Sequence, residues 1–127
     1  MHSAPPASTP LDRTYKETMT LLIEARNYMA YGEPRQLKGL GPNANLKVSC
    51  EDFRITARLT QVLAWLLIRK AVQHEEMTAE DAAQDRYRLG GAEICLDDSA
   101  GQDEALPAAL RDLLARSLRL YQRVGRL

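Results

Sequence analysis

The sequence predicts an all-α protein, a three-helix bundle with one additional short helix. Long segments repeat apolar residues at alternating steps of three and four, which is the spacing of an amphipathic helix. Helix start and stop signals separate these segments, and no alternating strand pattern of any length interrupts them. The 127 residues are 45% hydrophobic and 27% charged, a normal globular composition. We therefore expect one helical-bundle domain over residues 9–127, preceded by a disordered tail of Ala, Pro and Ser over residues 1–8.

The first helix has a clear beginning. Thr9 can cap it, Pro10 suits the first helical position, and Asp12 stands three residues after the cap. The helix is expected to stop near Gly32, where a loop over residues 32–45 carries three glycines and two prolines. Its predicted bundle-facing stripe consists of Leu11, Tyr15, Thr18, Leu22, Ala25 and Met29.

The middle helix, from about Val48 to about Glu75, contains seven consecutive apolar residues, "VLAWLLI", at 62–68. One predicted stripe faces the bundle core: Ile55, Leu59, Val62 and Leu66. The seven-residue run also makes the helix apolar all the way round for two turns. Each large apolar side chain left in water forgoes about 1.5–3 kcal/mol, so such a belt should be covered.

The C-terminal half contains a short helix and a long one. Thr78 can cap a short helix over residues 78–88, which an acidic connection over residues 92–105 follows. The last helix begins near Leu106-Pro107 and runs to the end of the sequence. Its predicted main stripe is Leu106, Leu110, Leu113, Ser117, Leu120 and Val124, and an adjacent stripe is Leu114, Leu118 and Tyr121.

The apolar belt on the middle helix and the second stripe on the last helix together predict a homodimer. We expect the two helices to share the seam between subunits, which also makes a second copy of the chain the first predicted partner. The alternative is that the short helix at 78–88 folds back and covers the belt within one chain. The candidate seam residues are Leu63, Leu67, Ile68, Leu114, Leu118 and Tyr121.

The sequence offers no catalytic or cofactor-binding constellation, so we expect a protein that is not an enzyme and needs no cofactor. His74 lies in "HEEMT", which lacks the second histidine of the zinc-protease pattern. Cys50 and Cys95 have no CxxC partner, which argues against a zinc site, and Cys50 is expected to pack as a small apolar residue. With no secretion signal in the opening residues, the two thiols indicate a reducing cytoplasm. No apolar run approaches the roughly 20 residues that a bilayer span needs.

The net charge is zero but is unevenly distributed. Residues 75–104 hold ten acids and two arginines, whereas residues 105–127 hold five arginines and one acid. The acidic connection can compensate arginines within the chain, or the two regions can attract complementary protein surfaces. One polar-aromatic line runs along the middle helix and is the candidate partner-docking surface, since it is placed to receive an acidic element from another helix or from a partner. Its members are Arg54, Arg58, Gln61, Trp65 and Arg69.

The segment "FRITARLTQVLAWLLIRKAVQHEEMT" at 53–78 resembles the central helix and following turn of the alphaproteobacterial RcdA family, the regulators of CtrA degradation. The pattern R-x-T-x-R-L-x-Q-x-x-x-W-L-L falls on eight positions, and "EARNYM" of the first helix and the whole last helix are also similar. The eight positions are Arg54, Thr56, Arg58, Leu59, Gln61, Trp65, Leu66 and Leu67.

The resemblance implies a non-enzymatic, dimeric adaptor in cell-cycle-regulated proteolysis. Its implied partners are the ClpXP protease, the response regulator CpdR and cargo such as CtrA, and its implied place is the cytoplasm, including the cell pole. Family members continue past the last helix into a flexible tail, whereas this sequence stops at "VGRL". The alternative function is a small helical nucleic-acid-binding regulator, in which the short helix at 78–88 forms part of a helix-turn-helix. Zero net charge and the neighbouring acidic residues oppose it, so we expect neither nucleic acid nor a membrane as partner.

Overall fold

The computed structural model describes residues 9–127, and the predicted tail at 1–8 lies outside the described residues. No strand occurs in the described part of the chain, which confirms the all-α prediction. Three long helices carry the fold, and single turns connect them. The elements are α1 (Pro10–Asn27), a π-helical segment (Tyr28–Gly32), α2 (Glu33–Gln36), α3 (Pro42–Gln73), α4 (Ala79–Ala82), a 3₁₀ turn (Asp85–Tyr87), α5 (Ala92–Cys95), a second 3₁₀ turn (Ser99–Gln102) and α6 (Ala108–Gly125).

The core lies where α3 packs between α6 and α1. The predicted core stripe of α3 is completely buried, and so is the predicted main stripe of α6. On α1 the stripe is displaced by part of a turn, because Leu21 is buried and Leu22 is only partly buried. The helical spacing of apolar residues therefore identified most of the core correctly.

The start of α1 is as predicted, but its end is not. Thr9 accepts a hydrogen bond from the Asp12 N–H at 3.1 Å, and the Asp12 carboxylate accepts one from the Thr9 N–H. The chain does not stop near Gly32; it continues through the π-helical segment into α2. Pro34 lies in the first turn of α2, directly after the π-helical segment.

The middle helix is longer than predicted at its N-terminal end. It begins at Pro42 instead of near Val48, so the true loop is only residues 37–41. Pro42 occupies the first helical position after an extended Gly41, the arrangement in which proline favours a helix start. With 32 residues, α3 is about 48 Å long and forms the central rod of the bundle.

The region after α3 is less helical than predicted. Thr78 caps α4 by accepting the Asp81 N–H at 3.1 Å, but α4 is a single turn and the predicted helix over 78–88 does not form as one unit. The acidic connection instead contains two separate helical turns. Gly91 begins the first of them with φ at 75°, a left-handed conformation that glycine adopts without strain.

None of the described helices combines the length and the apolarity that a bilayer-spanning segment requires.

Candidate protein-interaction surfaces

The centre of the predicted docking line is inside the protein. Arg58 is only 1% exposed, and its guanidinium donates to the carbonyl oxygens of Cys95 at 2.6 Å, Asp97 at 2.7 Å and Leu114 at 2.9 Å. It also donates to the Ser117 hydroxyl at 3.2 Å. Burial lowers the pKa of Arg58 from its ordinary value, and nearby Arg54 lowers it further. Arg58 is therefore inaccessible to a partner and instead joins α3, α6 and the acidic connection.

Two more members of the line bind this part of the chain: Arg54 contacts the acidic connection itself, and Gln61 contacts Gly90 just before it. The Arg54 guanidinium donates to the Ile94 carbonyl at 2.5 Å and lies 3.6 Å from the Asp97 carboxylate. The Gln61 side-chain oxygen accepts the Gly90 N–H at 3.0 Å. The arginines do receive an acidic element, and that element belongs to the same chain. The charge of Arg54 is thus compensated by the acidic connection of its own chain, which is one of the two alternatives that the charge distribution left open.

The remaining two members, Trp65 and Arg69, lie on the rim of an open groove. The Arg69 guanidinium stacks over the Trp65 ring at 4.8 Å, and the buried Arg69 Nε has no hydrogen-bond partner among the described residues. The groove has a volume of about 640 Å³ and combines apolar walls with three arginines. Its other principal lining residues are Arg88, Leu89, Leu96, Val124, Arg126 and Leu127.

The six predicted seam residues do not form one surface. Leu114 and Tyr121 are 3% and 4% exposed, so both belong to the core of their own chain. Leu118 is half-buried beside the acidic connection, where it lines a small cavity. Leu63 and Leu67 lie one turn apart on the same face of α3. Ile68, the residue after Leu67, is half-buried on a neighbouring face.

The seven-residue run is only partly covered by its own chain. Val62 and Leu66 are completely buried, but Leu67 remains 48% exposed. The segment expected as an internal cover contains only the single turn α4, which packs on α3 with a buried Ala82. A single turn is too short to shield two turns of another helix.

The outer face of α3 carries exposed apolar residues that the sequence interpretation missed. Leu46 and Phe53 are 65% and 62% exposed, and together with Leu67 they follow steps of seven and fourteen along α3. Steps of seven keep residues near one side of a helix. Leu46 and Phe53 lie opposite the core stripe, and Leu67 lies about 100° round the helix from the buried Leu66. We call Leu46, Phe53 and Leu67 the outer stripe. The seven-residue spacing was visible in the sequence, but the late predicted start of the helix left Leu46 outside it.

A pair of facing carboxyl groups, Glu33 and Asp52, was not predicted either. Glu33 on α2 is 8% exposed, and its carboxyl group faces that of Asp52 on α3. Within the described residues, Glu33 Oε2 and Asp52 Oδ1 are buried and receive no hydrogen bond from any donor group. Two carboxyl oxygens can bond to each other only if one carries a proton. Burial, together with the adjacent Glu33 and Glu51, raises the pKa of Asp52 to about 8.

The cysteines are both free thiols. Cys95 is buried as a small core residue, and burial raises its pKa. Cys50 is exposed on the outer side of α3, so the expectation that it packs as an apolar residue was wrong. Across residues 9–127, no three His, Cys, Asp or Glu side chains are grouped in a way that could hold a metal ion.

The structural support for the nucleic-acid alternative is weak. A helix-turn-helix needs two helices of several turns, and α4 contains four residues. Two arginines of α6 are occupied by acids of α1: Arg116 pairs with Glu24 at 2.6 Å and Arg123 pairs with Glu17.

The fold and these surfaces define a class: small all-α bundles whose long central helix is packed between two others. Residues 4–127 match the family described as a protein of unknown function (DUF1465), and the chain belongs to this family. Among solved structures it is similar to RcdA from Caulobacter crescentus CB15, with 37% identity over 94% of this chain and 88% of that chain, and a TM-score of 0.73. Comparison with curated proteins gives no match. The resemblance to the RcdA family stated from residues 53–78 is thus confirmed.

Proposed function

We propose that this chain is a non-enzymatic adaptor of the RcdA type, which links substrates to the ClpXP protease together with a CpdR-like response regulator. The observation that carries the proposal is the 37% identity to RcdA across nearly the whole chain. The match extends over 94% of this chain, so it includes all three long helices of the bundle. The cargo of the family, CtrA, is the first candidate substrate.

The groove beside Trp65 is the surface that we assign to partner docking. It joins a half-buried aromatic ring to three arginines, the residue types that most often contribute strongly to protein interfaces. The other three members of the predicted docking line are engaged within the chain, so Trp65 and Arg69 are what remains of it. Mixed apolar and cationic walls favour a protein segment that carries both apolar and acidic side chains.

We also propose that the chain functions as a homodimer, with the outer stripe of α3 at the seam. Leu46 and Leu67 are 21 residues apart, so the stripe is about 31 Å long. An exposed apolar stripe of this length on one helix is typical of a surface that a second helix covers. Leu67 is retained from the sequence prediction, Leu63 lies beside it, and Leu46 and Phe53 are added.

A reconstituted degradation assay tests the adaptor proposal. Purified ClpXP, CpdR and CtrA are incubated with and without this chain, and the disappearance of CtrA is followed over time. We expect the chain to accelerate degradation, and we expect Arg88→Glu with Arg126→Glu to remove most of the acceleration. Both arginines are exposed on the groove wall, so their reversal should leave the bundle folded.

The matched control is Arg35→Glu with Lys38→Glu, which makes the same charge change at exposed positions around α2. This variant should behave like the unchanged chain. Failure of the unchanged chain to bind or stimulate any component would overturn the adaptor proposal. Tight, salt-sensitive binding of duplex DNA would favour the regulator instead.

A further inference from the structure

A second groove, between α1 and α6, is lined mainly by cations. It has a volume of about 560 Å³, and its floor is formed by Leu21 and Leu120, which are buried. Five of its nine lining residues are basic and only Glu17 is acidic, in a chain whose net charge is zero. We call it the basic groove; its lining cations are Arg13, Lys16, Arg116, Arg119 and Arg123.

Two of these cations are used to hold the groove together. Arg116 forms a two-pronged pair with Glu24, with distances of 2.6 and 2.7 Å, and Arg123 pairs with Glu17. These two pairs run in opposite order along the helices, so α1 and α6 are antiparallel walls. The positions of Arg116 and Arg123 are therefore set by contacts within the chain.

Lys16 and Arg119 are not held by such ion pairs. Both are exposed, and within residues 9–127 neither side chain forms an ion pair, a hydrogen bond or a ring contact. One lies on each wall, beside the Glu17–Arg123 pair. The groove thus presents positive charge that the chain itself does not neutralise.

We propose that the basic groove binds an acidic polypeptide segment of a partner protein. Arg13 and Thr20 mark the two ends of the α1 wall and are seven residues apart, which gives a trough of about 10 Å. Acidic side chains at helical steps of three or four recur about every 5–6 Å, which matches the spacing of the cations along both walls. The two wall ion pairs already show arginines in this groove engaging carboxylates.

The density of charge argues for a polypeptide over a nucleic acid. Duplex DNA carries one charge per about 1.7 Å of its axis, far more than these walls can neutralise. Glu17, Glu24 and Asp112 also lie at or beside the groove and would repel closely spaced phosphates.

Because the free cations are solvent-exposed, the groove should contribute long-range attraction and fast association, and its effect should fall as salt rises. This inference does not depend on the protease pathway.

Fluorescence anisotropy with a synthetic probe tests the proposal. The probe is a labelled 15-residue helical peptide with glutamates at steps of three and four, and its counterpart has glutamine at the same positions. We expect the glutamate peptide to bind about tenfold more tightly than the glutamine peptide at low salt, and to weaken several-fold between 50 and 200 mM salt. Lys16→Glu with Arg119→Glu should remove this preference.

The matched control is Lys38→Glu with Arg86→Glu, an equal charge change at exposed positions outside the groove. It should change the affinity by less than about twofold. Circular dichroism checks that both double variants remain helical. Equal binding of the two peptides, an equal loss in the control variant, or tighter binding of a labelled DNA duplex than of the glutamate peptide would each overturn the proposal.

Discussion

Arg58 shows how one buried cation can fix the position of an irregular segment. Its guanidinium donates to three carbonyl oxygens and one hydroxyl, and within residues 9–127 no carboxylate forms an ion pair with it. Five N–H donors in a planar fork suit such a set of diverging acceptors, which a lysine ammonium could not reach together. Arg58 therefore anchors the acidic connection to both α3 and α6.

Replacement of Arg58 tests this role. Arg58→Met keeps much of the volume but leaves buried carbonyl groups without donors, so we expect a loss of about 3 kcal/mol in the free energy of unfolding. Urea unfolding followed by circular dichroism measures it. Arg86→Met, at an exposed position, should change stability by less than about 0.5 kcal/mol. A loss below about 1 kcal/mol for Arg58→Met would show that water replaces the missing donors.

The facing carboxyl groups of Glu33 and Asp52 predict an unusual dependence of stability on pH. The pKa of Asp52 is raised in the folded protein to about 8, above its ordinary value of 3.8. A raised pKa means that the folded state binds the proton more tightly than the unfolded state does, so the stabilisation is fully present below about pH 4. It is lost progressively as the pH rises from about 4 towards 8. The ion-paired carboxyl groups of Asp12, Glu24 and Asp103 change stability in the opposite direction, because their pKa values are lowered in the folded protein.

The expected result is a stability maximum in mildly acidic solution and a decline towards pH 8. Asp52→Asn removes the charge while it keeps the shape, so this variant should be more stable than the unchanged chain at pH 8 and should show a flatter profile between pH 5 and 8. Thermal unfolding in a series of buffers measures both. Asp97→Asn serves as a comparison, because the pKa of that exposed carboxyl is lowered. A decline that persists unchanged in Asp52→Asn would contradict the shared proton.

Threonine caps two helices of this protein, and we expect the two caps to contribute unequally to its stability. Thr9 and Thr78 both accept the N–H of the residue three positions later, at 3.1 Å. Thr9 begins an 18-residue helix that packs on the core, whereas Thr78 begins a four-residue turn. A cap contributes to the stability of the molecule only as far as its helix does.

Paired threonine substitutions measure this difference. Thr9→Ala should lower the free energy of unfolding by about 1 kcal/mol, the usual cost of losing a side-chain cap. Thr78→Ala should lower it by less than about half of that, because α4 can fray without opening the core. Urea unfolding of the two variants in parallel gives the comparison, and equal losses would show that α4 unfolds only with the whole bundle.

For the whole molecule, the consequence of the outer stripe is association. Phe53→Arg with Leu67→Arg places two charges in the proposed seam, and we expect this variant to sediment as a monomer of unchanged helicity, while the unchanged chain is dimeric at about 10 μM. Ile23→Arg on α1 is a suitable control, because Ile23 is 50% exposed and lies outside the stripe. This control should remain dimeric. Sedimentation of the unchanged chain as a monomer at that concentration would refute the seam.

Local sequence patterns were sufficient to predict the helical class, the core stripes of α3 and α6 and the start of α1. These features depend on local spacing and on side chains within a turn of one another, as Thr9 and Asp12 are. The motif at 53–78 also identified the family. Each of these properties depends on a short stretch of sequence. The recurrence of apolar residues at steps of three and four, a capping pair and one motif were therefore sufficient to predict them.

The roles of the polar residues, in contrast, could be assigned only from the three-dimensional packing of the helices. Arg58 and Trp65 fall on one line of α3, yet one is enclosed by the acidic connection and the other lines an open groove. The basic groove likewise depends on residues about 100 positions apart. Helical spacing shows which residues share a face. Whether that face is buried depends on which segments, distant in the sequence, pack against it, and a local sequence pattern does not contain this information.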